Sequence, residues 1–344
     1  MLLVTGGAGF IGSNFINKWL TEKRSPVLNL DCLTYAAEPA NVYAKDGLHS
    51  YTFVEGDICD RHLLDELFRQ HAFTAVVNFA AESHVDRSIA DPTHFVRTNV
   101  LGTFTLLDTA KNHWASLDPT KHDDFRFLHV STDEVYGTLD EDEPAFTEQT
   151  PYDPRSPYSA SKAASDHIVS SYFHTYGMPT LISNCSNNYG PYQYPEKLIP
   201  VVISKALAGL PIPIYGDGSQ IRDWLHVDDH CDALNLLITR GVVGTTYNIG
   251  GQNEVRNLKL VQTICAILDE VKPRSSGSYQ ELIEFVVDRK GHDRRYAVDI
   301  SRINTDLGWR PKFNLQQGLR STIAWYIDNA EWVDRALARA TWQR

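Results

Sequence analysis

Residues 130–137, VSTDEVYG, set two acids, Asp133 and Glu134, side by side behind Thr132 at the end of a β-branched run. Adjacent carboxyls discourage each other from ionising. Where their surroundings differ, one stays protonated while the other is charged, which suits a site that must give and take protons at one pH. The plainer alternative is a solvated loop in which one acid caps a turn, and Thr132 would then simply bond backbone. A second pair lies in SPYSASK (156–162), where Tyr158 and Lys162 stand four apart at a helix start and so share a face. A phenol titrates near pH ~10. A neighbouring ammonium and a positive nicotinamide ring would bring it towards neutrality. Such a phenolate can take a hydroxyl proton while hydride leaves the same carbon.

Chemistry of that kind needs a cofactor held close by. LLVTGGAGFIG (2–12) is a strand followed by Gly6, Gly7, Gly9 and Gly12, with an amphipathic pattern behind it. Glycines let backbone approach a pyrophosphate, and the helix N-terminus offers oriented N–H groups. Asp31, at the end of the next strand, suits both ribose hydroxyls and repels a 2′-phosphate, so the sequence points to NAD and not NADP. The alternative makes the glycines an ordinary turn and Asp31 a cap. Asp57 faces the adenine or caps the helix that begins near Asp60. Ala80 and Ala81 are small where the cofactor must pass.

These residues require elements to position them. Candidate strands are 2–5, 27–30, 51–54, 75–79, 125–130 and 180–183, with helical patterns near 10–22, 60–71, 93–114 and 156–176 between them. In 93–114 the residues Val96, Val100, Phe104, Leu107 and Trp114 form one apolar stripe at helical period. Alternation of this sort gives an α/β fold, a Rossmann-like doubly wound parallel sheet whose ligands sit beyond the carboxyl ends of its strands. After about 186 the chain becomes rich in Pro, Gly and Tyr, as in pocket-shaping loops. A helix at 228–239 and a strand at 245–250 rejoin the sheet. Helices near 257–271 and 315–328 belong to a smaller mixed α/β lobe. The expected division is 1–186 for the cofactor domain, with 222–250 returning to its sheet, and 187–344 for the substrate lobe.

At 344 residues and 42% hydrophobic content the chain can bury a large core. A net charge of −11 argues against a nucleic-acid surface, and no apolar run is long enough to span a membrane. The start MLLVTGG lacks the basic opening and cleavage site of a secretory signal. Five scattered cysteines suit buried thiols in a reducing cytoplasm, with neither a disulfide frame nor a metal site.

TGGAGFIG, STDEVYG and YSASK resemble the extended short-chain dehydrogenase/reductase family. Within it AAESHVDRS, SNNYGPYQYPEKLIP, GDGSQIRDWLHVDD and RKGHDRRYAVD are similar to the dTDP-glucose 4,6-dehydratase family, over residues 2 to about 330. The Thr-Asp-Glu triplet is the specific mark, since epimerases and simple reductases of this family lack the acid pair. The resemblance implies that Tyr158 and Lys162 serve oxidation at C4 of dTDP-glucose, with Thr132 on the C4 oxygen. Glu134 then removes the C5 proton, Asp133 protonates the departing C6 hydroxyl, and hydride returns to C6 to leave a 4-keto-6-deoxy sugar. It adds Phe10, Ile11, Leu33, Thr34, Ile58, Ser83, Thr98 and Asn188 to the cofactor contacts. It places Ser83, Thr132, Asn187, Lys197, Leu198, Pro213, Tyr215, Arg222, Asn257, Asp288, His292 and Tyr296 on the nucleotide sugar. By their own chemistry, Arg222 with Arg294 or Arg295 suit a diphosphate, though Arg222 could pair with Asp223 or Asp228 and Asn257 looks like a helix N-cap. Lys290 stands where this family usually has proline. The family also implies a homodimer through helices 93–114 and 156–176. Rival readings are a dehydratase or 4-epimerase for a UDP- or CDP-linked sugar, and a non-catalytic NAD-binding scaffold.

Overall fold

A computed structural model describes residues 1–22, 24–43, 50–288 and 291–341; Lys290 lies outside them. Each short β-branched or leucine-rich run gives a strand: β1 (Leu2–Thr5), β2 (Val27–Asp31), β3 (Tyr51–Glu55), β4 (Ala75–Asn78), β5 (Arg126–Thr132) and β6 (Thr180–Cys185). Then β7 (Asn187–Tyr189), β8 (Ile212–Tyr215) and β9 (Ile221–His226) leave the sheet before β10 (Thr246–Ile249) returns to it; β11 (Glu254–Arg256) and β12 (Ile283–Val286) follow. The large sheet is parallel, in the order β10-β6-β5-β4-β1-β2-β3. Chain order reverses between β1 and β4, which opens a crevice at their carboxyl ends. Successive residues face opposite sides: Val4 joins a core with Phe15, Ile16, Leu128 and Leu234, and Leu3 joins one with Leu28, Leu64, Leu107 and Phe127.

Two expectations need correction. Of the stretch 222–250, only β10 enters the large sheet; β9 pairs instead with β7 and β11. The helix expected at 93–114 is interrupted by a π-helical segment, Val96–Gly102, before it resumes as Thr103–Ser116. The wider i→i+5 turn breaks the 3.6-residue stripe. Leu107 is buried, but Val96 and Phe104 are 56% and 42% exposed.

The smaller lobe packs helices Leu198–Leu207, Asn257–Val271 and Leu315–Asp328 around Ile199, Val202, Ile264, Leu268, Leu319 and Ile323. Among the described residues no helix is long and apolar enough to cross a membrane.

Candidate active site

The crevice is built from its glycine turn outward. Gly6 lies at φ +71°, and a Cβ on it would sit 2.6 Å from the backbone nitrogen of Ala80, at the end of β4. On Gly12 a Cβ would lie 2.5 Å from the Gly6 carbonyl, so glycine alone lets the helix Phe10–Thr21 begin against the turn. Gly9 caps that helix without a side chain, leaving its first turn open to an anion in the cleft. Asp31, 7% exposed, accepts from Ala8 N and Leu33 N at 2.9 Å each. Burial pushes its pKa up, and those two bonds hold it down. Asp60 caps the next helix, accepting from Leu63 N at 3.0 Å, so Asp57 is not a cap; it takes Cys59 N at 2.8 Å and faces the cleft. A bare helix terminus, two backbone approaches that a methyl would block and an acid at the end of β2 fit a dinucleotide. Of the residues expected to touch cofactor, all but Gly7 and Leu33 line this one cleft; Leu33 lies at φ +53°, two residues after the end of β2.

β5 runs two residues beyond its expected end, to Thr132, and a 3-10 helix Asp133–Tyr136 starts at once. Thr132 caps it, accepting from Glu134 N at 3.3 Å, and its hydroxyl donates to Asp133 Oδ1 at 3.4 Å. Asp133 is 1% exposed and its Oδ2 has no hydrogen-bond partner. Burial, then the charges of Glu134 and Asp223, push its pKa well above the carboxylate range, which favours the protonated form. Glu134 is only half-buried, and both line the cleft. The acids therefore differ in environment as the sequence required.

Tyr158 and Lys162 lie on the helix Pro157–Tyr176, whose start is fixed by a Ser156–Ser159 capping box. Burial and the charge of Glu134 push Tyr158 well up, with the hydrogen bond between the phenol and Thr132 opposing them. Lys162 lines the same cleft, and its Nζ donates to the Val130 carbonyl at 2.8 Å. Burial lowers the pKa of Lys162. The π-helical segment also serves the site. Asn99 accepts from Glu82 N at 2.8 Å and donates to Ser161 Oγ at 2.8 Å, tying the Ala80–Ser83 loop to the Tyr158 helix. His230 Nδ1 bonds Asn188 Oδ1 at 2.9 Å and fixes its amide, whose nitrogen donates to Ser186 O.

The residues expected on the sugar nucleotide divide in two. Ser83, Thr132, Asn187 and Lys197 line the cleft, with Lys197 Nζ donating to the Ser83 carbonyl at 2.8 Å. Leu198, Pro213, Tyr215, Arg222, Asn257, Asp288, His292 and Tyr296 do not. Among them β8 pairs with β12, His292 bonds Asp288 at 2.6 Å, and Arg222 stacks 4.2 Å over Tyr296. Arg222 donates to the carbonyls of Ile221 and Asp293. Arg295 is held by Glu254 at 2.6 Å and by the Glu143 carbonyl. Asn257 is the first residue of its helix, not its cap, and its Oδ1 is buried without a hydrogen-bond partner. Sequence reasoning missed Glu82, Cys185, Tyr194 and Glu196, all in the cleft lining. Glu196 takes the Tyr35 hydroxyl at 2.9 Å; its loop stood out in composition, but nothing local singled out the acid.

Fold and cleft together define an extended short-chain dehydrogenase/reductase, with a Tyr–Lys pair facing a glycine turn across a switch point. The family model described as GDP-mannose 4,6 dehydratase matches residues 3–322. The chain is 55% identical to the dTDP-glucose 4,6-dehydratase of Xanthomonas campestris pv. campestris (strain B100), over 97% of this chain and 95% of the relative. A solved structure of DesIV, a dTDP-glucose 4,6-dehydratase from Streptomyces venezuelae with NAD and TYD bound, superposes with a TM-score of 0.88 at 44% identity, covering 97% of this chain and 99% of that one. UDP-glucose 4-epimerase of Thermotoga maritima gives 0.83 at 26% identity, over 96% and 99%. Fold alone thus does not separate dehydration from epimerisation, and the identity does. The chain belongs to the dTDP-glucose 4,6-dehydratase family.

Proposed function

We propose that this protein dehydrates dTDP-glucose to dTDP-4-keto-6-deoxyglucose, and that Asp133 and Glu134 carry the elimination. The observation behind this reading is the buried Asp133 beside the half-buried Glu134, at the end of β5 after Thr132, in one cleft with Tyr158. NAD would supply, when bound, the hydride acceptor for C4 and the hydride donor for C6. Gly6, Gly9 and Gly12 would take its pyrophosphate, Asp31 its adenosine ribose, and Tyr158, Lys162 and Asn188 its nicotinamide end.

Tyr158 removes the C4 hydroxyl proton while Thr132 holds that oxygen. In the free enzyme the phenol is pushed up, so its ionisation awaits the positive nicotinamide ring. The 4-ketone acidifies C5, and Glu134 takes that proton. Asp133 gives its proton to the C6 hydroxyl, which leaves as water. Glu134 then returns a proton to C5. Proton accounting exposes a further duty: each turnover leaves Tyr158 with one proton more and Asp133 with one fewer. Thr132, bonded to both, lies on the path by which they can be reset. Incubation with dTDP-glucose should produce the alkali-developed ultraviolet absorbance of a 4-keto sugar. NAD-loaded protein that gives none, or that gives a C4 epimer without loss of water, would overturn the reading.

We also propose that the exposed apolar face at Ile89, Val96, Leu101 and Phe104 receives a second copy of the chain.

A further inference from the structure

Directly behind Tyr158 and Lys162 lies a buried polar cluster for which the mechanism above has no use. His129 and Ser131 come from β5, and Ser165 and Asp166 from the Tyr158 helix; each is 4% exposed or less. Lys162 reaches into this cluster, 3.4 Å from His129 Nε2. On the other side of the ring, His129 Nδ1 is 3.1 Å from Asn78 Nδ2, whose amide oxygen already accepts the Thr5 hydroxyl at 2.6 Å. An amide nitrogen donates, so Nδ1 accepts and the ring proton is assigned to Nε2 by the network. That proton faces Ser165 Oγ at 3.1 Å and Asp166 Oδ1 at 3.5 Å. Burial and the Lys162 charge keep His129 neutral, far below its usual pKa. Asp166 Oδ2 takes the hydroxyls of Ser131 at 2.8 Å and Tyr152 at 3.1 Å, whereas Oδ1 has no hydrogen-bond partner.

A buried ammonium keeps its proton only where an opposite charge compensates for lost water. The Val130 carbonyl and His129 are both neutral. Asp166, one turn along the same helix, does most to hold the Lys162 proton, ahead of the Cys185 thiol. Resting on the roles given above to Tyr158 and Lys162, we infer that Asp166 is the counter-ion of Lys162, acting across neutral His129, and so a positioning residue that keeps the ammonium charged behind Tyr158. The groups around Asp166 are Lys162 from its own helix, His129 and Ser131 from β5, Tyr152 from the preceding loop with His167 packed on it, and Tyr136 from the 3-10 helix. Burial raises Asp166 to about 7 even with the Lys162 charge and the Ser131 and Tyr152 hydroxyls drawing it down.

The experiment follows C4 oxidation in quenched single turnovers across pH. Removing the negative charge weakens the hold of Lys162 on its proton. In Asp166→Asn the alkaline limb should therefore move to lower pH, by about one unit or more, and Asp166→Glu should keep it near the wild-type position. Reduced amplitude with both limbs in place would make Asp166 merely structural and overturn the inference. A thermal cycle decides without activity. At mildly alkaline pH, Lys162→Met strands a buried carboxylate, so adding Asp166→Asn should raise the melting temperature above that of Lys162→Met alone. Additive losses would sink the pairing. Wild-type protein that makes no 4-keto sugar would refute the proposed function, and the cycle would still judge the pair.

Discussion

Asp133 and Glu134 are neighbours in sequence with unlike surroundings, and the difference comes from one backbone event. β5 extends to Thr132 and the chain then coils into a 3-10 turn, which drives Asp133 inward and leaves Glu134 at the cleft. Asp133→Asn removes the transferable proton and keeps the shape. It should slow water loss about 10²–10⁴-fold while sparing C4 oxidation, as read by quench and mass spectrometry of keto sugar against dehydrated product. Equal slowing of both steps would remove the role. Glu134→Gln should retain C4 oxidation yet stop solvent deuterium entering C5; undiminished exchange would place the base elsewhere. The need for unequal acids was legible in STDEVYG, since adjacent charges repel. Which acid is buried was not, because it depends on where the strand stops. The setting of Lys162 was not legible either. Spacing puts Lys162 on the Tyr158 face of the helix, but cannot show the ammonium turned to the Val130 carbonyl.

At the scale of elements, strongly patterned segments translated well. The helix Asn257–Val271 and the strand Leu2–Thr5 fall where periodicity put them, because local sequence and burial agree. The π-helical segment Val96–Gly102 escaped, since an i→i+5 turn leaves an apolar period that still looks helical. β7, β9 and β11 escaped too: strands of three to six residues set by long-range pairing have little local signature. The glycine turn carries its own prediction. Gly12→Ala would drive a methyl to 2.5 Å from the Gly6 carbonyl and 2.7 Å from the Gly7 Cα, both backbone and unable to step aside. The turn must open, so purified Gly12→Ala should come away with a small fraction of the wild-type NAD, measured by release on denaturation. Full occupancy would show that the helix start tolerates the shift.

For the whole molecule, the question is what covers the apolar face that the π-helical segment turns outward. Ile89, Val96, Leu101 and Phe104 are 44%, 56%, 53% and 42% exposed. Covering what remains of each would contribute about 1 kcal/mol. Across a two-fold axis every contact counts twice, yet association costs about 4–15 kcal/mol, so these residues need the surrounding surface and cannot spare a member. A charge at the centre should therefore dissociate the pair. Leu101→Glu is expected to halve the mass by light scattering at micromolar concentration. Val242→Glu, at a site 54% exposed, should change nothing. A competing apolar patch lies on the smaller lobe, where Phe285 and Val287 are 60% and 91% exposed. Were Val287→Glu to dissociate the protein while Leu101→Glu left it paired, the two copies would meet through the substrate lobes, and the face beside the Tyr158 helix would lose its assignment.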